Sequence, residues 1–147
     1  MSNDNVKQLD IISNEILIET LSYNTNVKII ASEENEEFIY TTSTNGKYLV
    51  AFDPLDGSSN IDSNITIGTI FGIFKEENIE NKKLGESIVA AGYCLYGGST
   101  QFVYSIDCMS PLVNLLLLDT NNRFKKIGEL QMPKQGKVDR KSTRLNS

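Results

Sequence analysis

The sequence predicts an α+β fold: a helix layered on a largely antiparallel sheet. One helical stretch opens the chain, several strand-like runs then follow one another, and short turns rather than helices separate them.

Each element has its own signal. Val6, Leu9, Ile12, Ile16 and Thr20 recur at spacings of three and four, which predicts an amphipathic helix over residues 6–22 with this stripe as its apolar face. Val27–Ala31 is a short β-branched run that stops at Ser32-Glu33-Glu34, and Thr41–Gly46 is polar and turn-like. Lys47–Phe52 predicts a buried strand ended by Asp53-Pro54. Ile65–Phe74 predicts a long strand in which Gly68 and Gly72 permit close packing or a bulge. After a charged connection over Lys75–Glu86, three more strands are expected at Ser87–Tyr96, Gln101–Asp107 and Val113–Asp119. Turns are expected at Gly97-Gly98, Ser110-Pro111 and Asn121-Asn122. A sheet of this kind needs helices on at least one face, and a single helix covers little of it. The expectation is an incomplete domain over residues 1–132, followed by a basic, disordered tail over 133–147.

Composition narrows the chemistry. The 147 residues include no His and no Trp, and the net charge is −5. Without imidazole there is no Ser-His-Asp triad, no Cys-His pair and no His metal ligand, so a general base has to be a carboxylate, Lys, Tyr or bound hydroxide. Cys94 and Cys108 have no His or Cys neighbours, which excludes a Cys-rich zinc site and suits a reducing, cytoplasmic setting. No apolar run reaches the roughly 18 residues of a membrane helix, and the polar start, Met1-Ser2-Asn3-Asp4-Asn5, is unlike a targeting peptide. Lys134, Lys137, Arg140, Lys141 and Arg144 face only Asp139 in the tail, so the rest of the chain is strongly acidic. An acidic body argues against nucleic acid as a partner and for divalent cations.

The chemistry concentrates in Phe52-Asp53-Pro54-Leu55-Asp56-Gly57-Ser58-Ser59-Asn60. A turn at the end of a buried strand can aim Asp53, Asp56 and the Leu55 carbonyl at one position, an all-oxygen site suited to Mg²⁺ or Mn²⁺. Gly57, Ser58, Ser59 and Asn60 add small residues, backbone N–H groups and hydroxyls that can form an anion-binding concavity. Carboxylates for metal beside donors for phosphate are the requirements of metal-assisted phosphoester hydrolysis. The plainer reading is a turn rich in breakers. Glu33-Glu34 is an acid pair after a buried strand, or else the start of a solvated charge run through Glu36-Glu37.

Val50-Ala51-Phe52 through Asp62 resembles the signature of class 1 fructose-1,6-bisphosphatases, within the sugar-phosphate phosphatase superfamily that includes inositol monophosphatase. Further blocks resemble the family in family order: Leu9-Asp10-Ile11-Ile12-Ser13-Asn14, Ala31-Ser32-Glu33-Glu34, Gly46-Lys47-Tyr48, Gly68-Thr69-Ile70-Phe71-Gly72 and Ala90-Ala91-Gly92-Tyr93-Cys94-Leu95-Tyr96-Gly97. The resemblance runs from about Asp4 to Leu130, and Asn60-Ile61-Asp62 favours the fructose over the sedoheptulose enzymes.

The resemblance implies hydrolysis of the 1-phosphate of fructose 1,6-bisphosphate to fructose 6-phosphate and phosphate, with two to three Mg²⁺ or Mn²⁺ ions. It implies that Glu33, Asp53, Asp56 and the Leu55 carbonyl bind metal, with Asp4 reaching toward a third ion. Asp10 and Glu34 would accept the proton of the attacking water. Asp56, Gly57, Ser58 and Ser59 would hold the 1-phosphate. Lys47, Tyr48 and Lys75 would belong to an inhibitory AMP site, Lys75 standing where the family often has Arg. The family assembles as homotetramers. The connection after Lys75 has no Cys, unlike the regulatory insertion of plastid enzymes, which favours a cytosolic form. Family members are more than twice as long, so the chain is expected to be a fragment with a non-family tail, inactive alone. A related sugar or inositol phosphatase, and a non-catalytic metal- or nucleotide-binding fragment, are the alternatives.

Overall fold

The computed structural model describes residues 3–63, 65–76, 87–106 and 112–131. Helix α1 (Asn3–Ser22) precedes β1 (Val27–Ser32), β2 (Ile39–Tyr40) and β3 (Tyr48–Asp56). A 3-10 helix (Ser58–Ser63) leads to β4 (Ile67–Lys75), β5 (Ile88–Tyr96), β6 (Thr100–Ile106), β7 (Leu112–Leu118) and β8 (Phe124–Gln131). The strands form one sheet in the order β2-β1-β3-β4-β5-β6-β7-β8. Only β1 and β3 run parallel; every other neighbouring pair is antiparallel. The α+β layer expected from the sequence is therefore present.

The core lies under α1. Val27, Ile30, Val50 and Phe52 are buried, and Leu17, Ile18, Leu21, Phe71 and Ile73 pack on them. In β3 alternation explains this, since residues two apart share a face. In β1 an irregularity between Val27 and Ile29 brings Val27 and Ile30, three apart, to the same side.

Three features depart from the sequence reading. The helix forms, but its buried side carries Leu17, Ile18 and Leu21, while Leu9, Ile12 and Ile16 are 42%, 42% and 57% exposed. The helix has apolar residues on more than one side, so periodicity alone does not select the side that docks. Strand β3 does not stop at Asp53-Pro54 but runs through to Asp56. It accommodates proline with a bulge: Asp53 pairs with Ile70 and Asp56 with Gly68, so two residues of β3 face Thr69 alone. Strands β2 and β8 carry no apolar alternation that announces them; β2 has two residues, and β8 is exposed except at Gly128. Both exist through pairing with a neighbour. The Lys75–Glu86 connection beyond Glu76, the Ser110-Pro111 turn, Cys108 and the 133–147 tail lie outside the described residues.

Candidate active site

Parallel pairing of β1 with β3 puts the two acidic sequences side by side. Ser32 pairs with Phe52, and the next amide, Glu33 N–H, donates to the Phe52 carbonyl at 2.9 Å. Glu33-Glu34 and Asp53 therefore stand at the same end of the sheet. Asp10 reaches this end from α1, which is tied down one helical turn further on. Ser32 Oγ donates to Asn14 Oδ1 at 2.6 Å, Asn14 Nδ2 donates to Asn35 Oδ1 at 2.8 Å, and the Glu34 amide donates to Ser32 Oγ at 3.3 Å. Positions four apart share a helix face, so the anchoring of Asn14 also sets the side on which Asp10 sits.

The electrostatics record the convergence. Partial withdrawal from water, then the charge of Asp10, then the charge and hydrogen bonding of neighbouring Glu33, and finally Asp53, hold the Glu34 carboxyl above its ordinary value. Burial likewise raises Asp53, opposed by the Leu55 N–H that donates to Asp53 Oδ1 at 3.0 Å and reinforced by Asp56, Glu33 and Asp10. Among the described residues the ion pairs lie elsewhere, at Lys28–Glu76, Lys125–Asp119 and Lys126–Glu129. Five carboxylates thus lie near one end of the sheet, and no ion pair among the described residues neutralises them.

Next to this cluster the chain turns on Gly57, whose φ of 81° is a left-handed conformation that glycine adopts without strain. Ser58 opens the 3-10 helix half-buried, and Ser59 is exposed. Asp56 is exposed, while Leu55 and Pro54 are buried. The Asp4 side chain lies outside the described residues.

The donor set is all oxygen and like-charged, which fits a hard divalent cation by its chemistry. Among the described residues no three His, Cys, Asp or Glu stand at the spacing of a closed metal site. Glu33 and Asp56 are exposed side chains at the edge of this cluster.

Lys47, Tyr48 and Lys75 gather elsewhere. Tyr48 pairs with Lys75 at the opposite end of β3, and Gly46, Lys47, Tyr48, Lys75 and Glu76 line a recess of about 380 Å³. Five residue steps along β3 separate Tyr48 from Asp53, about 16 Å. Glu76 beside this recess is paired with Lys28 at 2.7 Å.

Two parts of the site lie outside the residues singled out for chemistry. Asn14 is a polar residue on the docked side of α1, and Thr69 is a single hydroxyl within the apolar run of β4. Thr69 Oγ1 donates to the Pro54 carbonyl at 2.9 Å and lies 2.7 Å from the Tyr96 hydroxyl. Each falls within a block that resembles the family, but residue type alone gives no role, since a lone polar residue in an apolar periodic segment is its other signal.

Residues 1–131 match the family model described as the fructose-1,6-bisphosphatase N-terminal domain. The chain belongs to that family. It is 37% identical over 150 residues to mouse fructose-1,6-bisphosphatase 1, an alignment covering 92% of this chain and 44% of the mouse protein. It is 45% identical over 141 residues to the cytosolic fructose-1,6-bisphosphatase of spinach, covering 90% of this chain and 40% of that one. The crystal structure of Leishmania major fructose-1,6-bisphosphatase in holo form superposes with a TM-score of 0.71 at 38% identity, over 80% of this chain and 38% of that one. The chain thus spans about two fifths of the length of these fructose-1,6-bisphosphatases. No helix among its described residues is long and apolar enough to cross a membrane.

Proposed function

We propose that this chain carries the metal-binding half of a phosphatase that hydrolyses the 1-phosphate of fructose 1,6-bisphosphate, giving fructose 6-phosphate and phosphate. The observation that supports this most is the convergence of Asp10, Glu33, Glu34, Asp53 and Asp56 from one helix and two parallel strand ends, next to the Gly57-Ser58-Ser59 turn.

Glu33, Asp53, Asp56 and the Leu55 carbonyl would hold Mg²⁺ or Mn²⁺, with Asp4 contributing to a third ion. Such ions, when bound, neutralise phosphate charge and acidify the attacking water. Asp10 and Glu34 would take the proton of that water, and Glu34 is held above its usual range, which suits a proton acceptor. The Asp56–Ser59 turn would hold the 1-phosphate through backbone N–H groups and hydroxyls. The recess at Lys47, Tyr48 and Lys75 would take the phosphate of an inhibitory AMP, at a distance from the carboxylates.

Mn²⁺ binding to the 147-residue chain, followed by electron paramagnetic resonance, tests the reading. Saturable binding that Asp53→Asn weakens at least about tenfold supports it. Binding that is absent, or equal in the variant, overturns the metal assignment. Phosphate release from fructose 1,6-bisphosphate but not from inositol 1-phosphate, dependent on Mg²⁺ and lost in Asp53→Asn, would support the substrate assignment. Equal turnover of both would shift it to the wider superfamily.

A further inference from the structure

The bulge in β3 brings a buried backbone carbonyl against a side-chain hydroxyl of β4. Asp53 pairs with Ile70 and Asp56 with Gly68, so Pro54 and Leu55 together face Thr69. Pro54 has no N–H to exchange across the sheet, and its side chain is fully buried. Its carbonyl is instead met by the hydroxyl of Thr69 at 2.9 Å. That hydroxyl has one proton, already donated to an acceptor-only oxygen, so the 2.7 Å contact with Tyr96 is a bond in which the phenol donates to Thr69 Oγ1. The Cys94 thiol stands beside the Tyr96 hydroxyl at the outer end of this chain. Close approach of β4 and β5 makes the contact possible, since a Cβ on Gly68 would lie 2.4 Å from the Cys94 carbonyl oxygen.

We infer that Thr69 and Tyr96 are positioning residues for the Asp53–Asp56 turn: the Tyr96–Thr69–Pro54 hydrogen-bond chain holds the proline carbonyl and so sets the directions in which Asp53, the Leu55 carbonyl and Asp56 leave the strand. The consequence for metal rests on the function proposed above; the brace on the turn does not. Thr69 touches neither substrate nor metal in this scheme. It gives the buried Pro54 carbonyl a donor within the bulge, at the point where two metal-directed carboxylates need fixed backbones. Partly shared hydroxyl chains of this kind strengthen one another when every member is satisfied.

The experiment compares the full chain with Thr69→Val, Thr69→Ser, Tyr96→Phe and Asp53→Asn, by peptide-level hydrogen exchange over residues 53–57 and by Mn²⁺ binding. Thr69→Val keeps the shape and removes the hydroxyl, whereas Thr69→Ser keeps the hydroxyl and removes a methyl. The expected result is faster exchange over 53–57 in Thr69→Val and Tyr96→Phe, with α1 unchanged and Thr69→Ser like the parent. Mn²⁺ affinity should fall about tenfold in Thr69→Val and return to within about twofold in Thr69→Ser, as for lost partners of metal-holding groups. Exchange over 53–57 unchanged in Thr69→Val and Tyr96→Phe overturns the brace, whatever the metal does. Normal Mn²⁺ binding in both, with binding lost in Asp53→Asn, overturns its role in the metal site. No Mn²⁺ binding by the parent overturns the metal reading and the brace's role in it, while exchange still decides the brace itself. Should Thr69→Val unfold, Tyr96→Phe at its exposed position carries the same two readouts.

Discussion

On the β1–β3–β4 side of the sheet, α1 covers one face and Val27, Ile30, Val50 and Phe52 are withdrawn from water. On the β5–β8 side the strands pair in long, regular registers, yet among the described residues Val103 is the one fully buried apolar side chain. Hydrogen bonding is comparable in the two regions; cover is not. Pairing satisfies backbone groups, but a layer packed on the face is what turns apolar side chains into a core. The second region relies instead on aromatic contacts, with Phe102 5.8 Å from Phe71, 5.4 Å from Tyr104 and 5.6 Å from Phe124 between ring centroids. It relies also on the β7–β8 turn, where Asp119 accepts the amides of Asn121 and Arg123 at 2.8 and 3.0 Å. Carboxylates for chemistry stand in the covered region, where a rigid strand end can hold them.

Paired substitutions measured by urea denaturation sharpen this contrast. Phe52→Ala should lose about 3–4 kcal/mol, because a cavity opens under α1. Phe124→Ala, at a side chain 44% exposed, should lose under about 1 kcal/mol. Equal losses would mean that the two halves share one core. Gly92→Ala is next: its Cβ would meet the Val103 carbonyl oxygen at 2.4 Å and the Phe71 ring at 2.7 Å. The expected loss is about 2 kcal/mol, from overpacking. Gly128→Ala meets nothing within 4 Å, and should gain about 0.5 kcal/mol by restricting the unfolded chain.

Asp53→Asn separates stability from function. Removing one of several like charges at a partly buried position should stabilise the metal-free chain by about 0.5 kcal/mol, while Mn²⁺ binding falls. A variant that is less stable would show that Asp53 is structural. The smallest effect is at Asp119, whose carboxyl is held below its ordinary value first by Lys125 and then by the Arg123 amide. A lowered folded-state pKa contributes stability that is present above about pH 4 and lost as pH falls through the folded value. Asp119→Asn should therefore lower the melting temperature slightly at pH 6, by an amount that shrinks as pH falls below about 4. A difference that persists in acid would assign the effect to shape rather than charge.

Much of the fold was legible in the sequence where apolar spacing is strong: α1, β1, β4, β5, β6 and β7 lie within a few residues of their expected positions. The docked side of α1 was not legible, because Leu9, Ile12 and Ile16 form as regular a stripe as Leu17, Ile18 and Leu21, and only contact with β1 and β3 distinguishes them. The acidic residues announced themselves through residue type and order. Asn14, Thr69 and Tyr96 did not, since a hydroxyl or amide takes meaning only from the atom it faces.

What the sequence determined by itself is the chemistry available: no imidazole, a run of carboxylates, a glycine-serine turn beside them, and strands with a helix before them. These follow from residue identity and local spacing, which need no partner. Tertiary structure alone decided that Asp10, Glu33, Glu34, Asp53 and Asp56 lie near one end of the sheet, and that Lys47, Tyr48 and Lys75 lie apart from them. It also decided that proline at position 54 sits inside a strand rather than ending one. The reason is that strand register joins residues distant in sequence, and a bulge facing a single threonine hydroxyl exists only once two strands have paired.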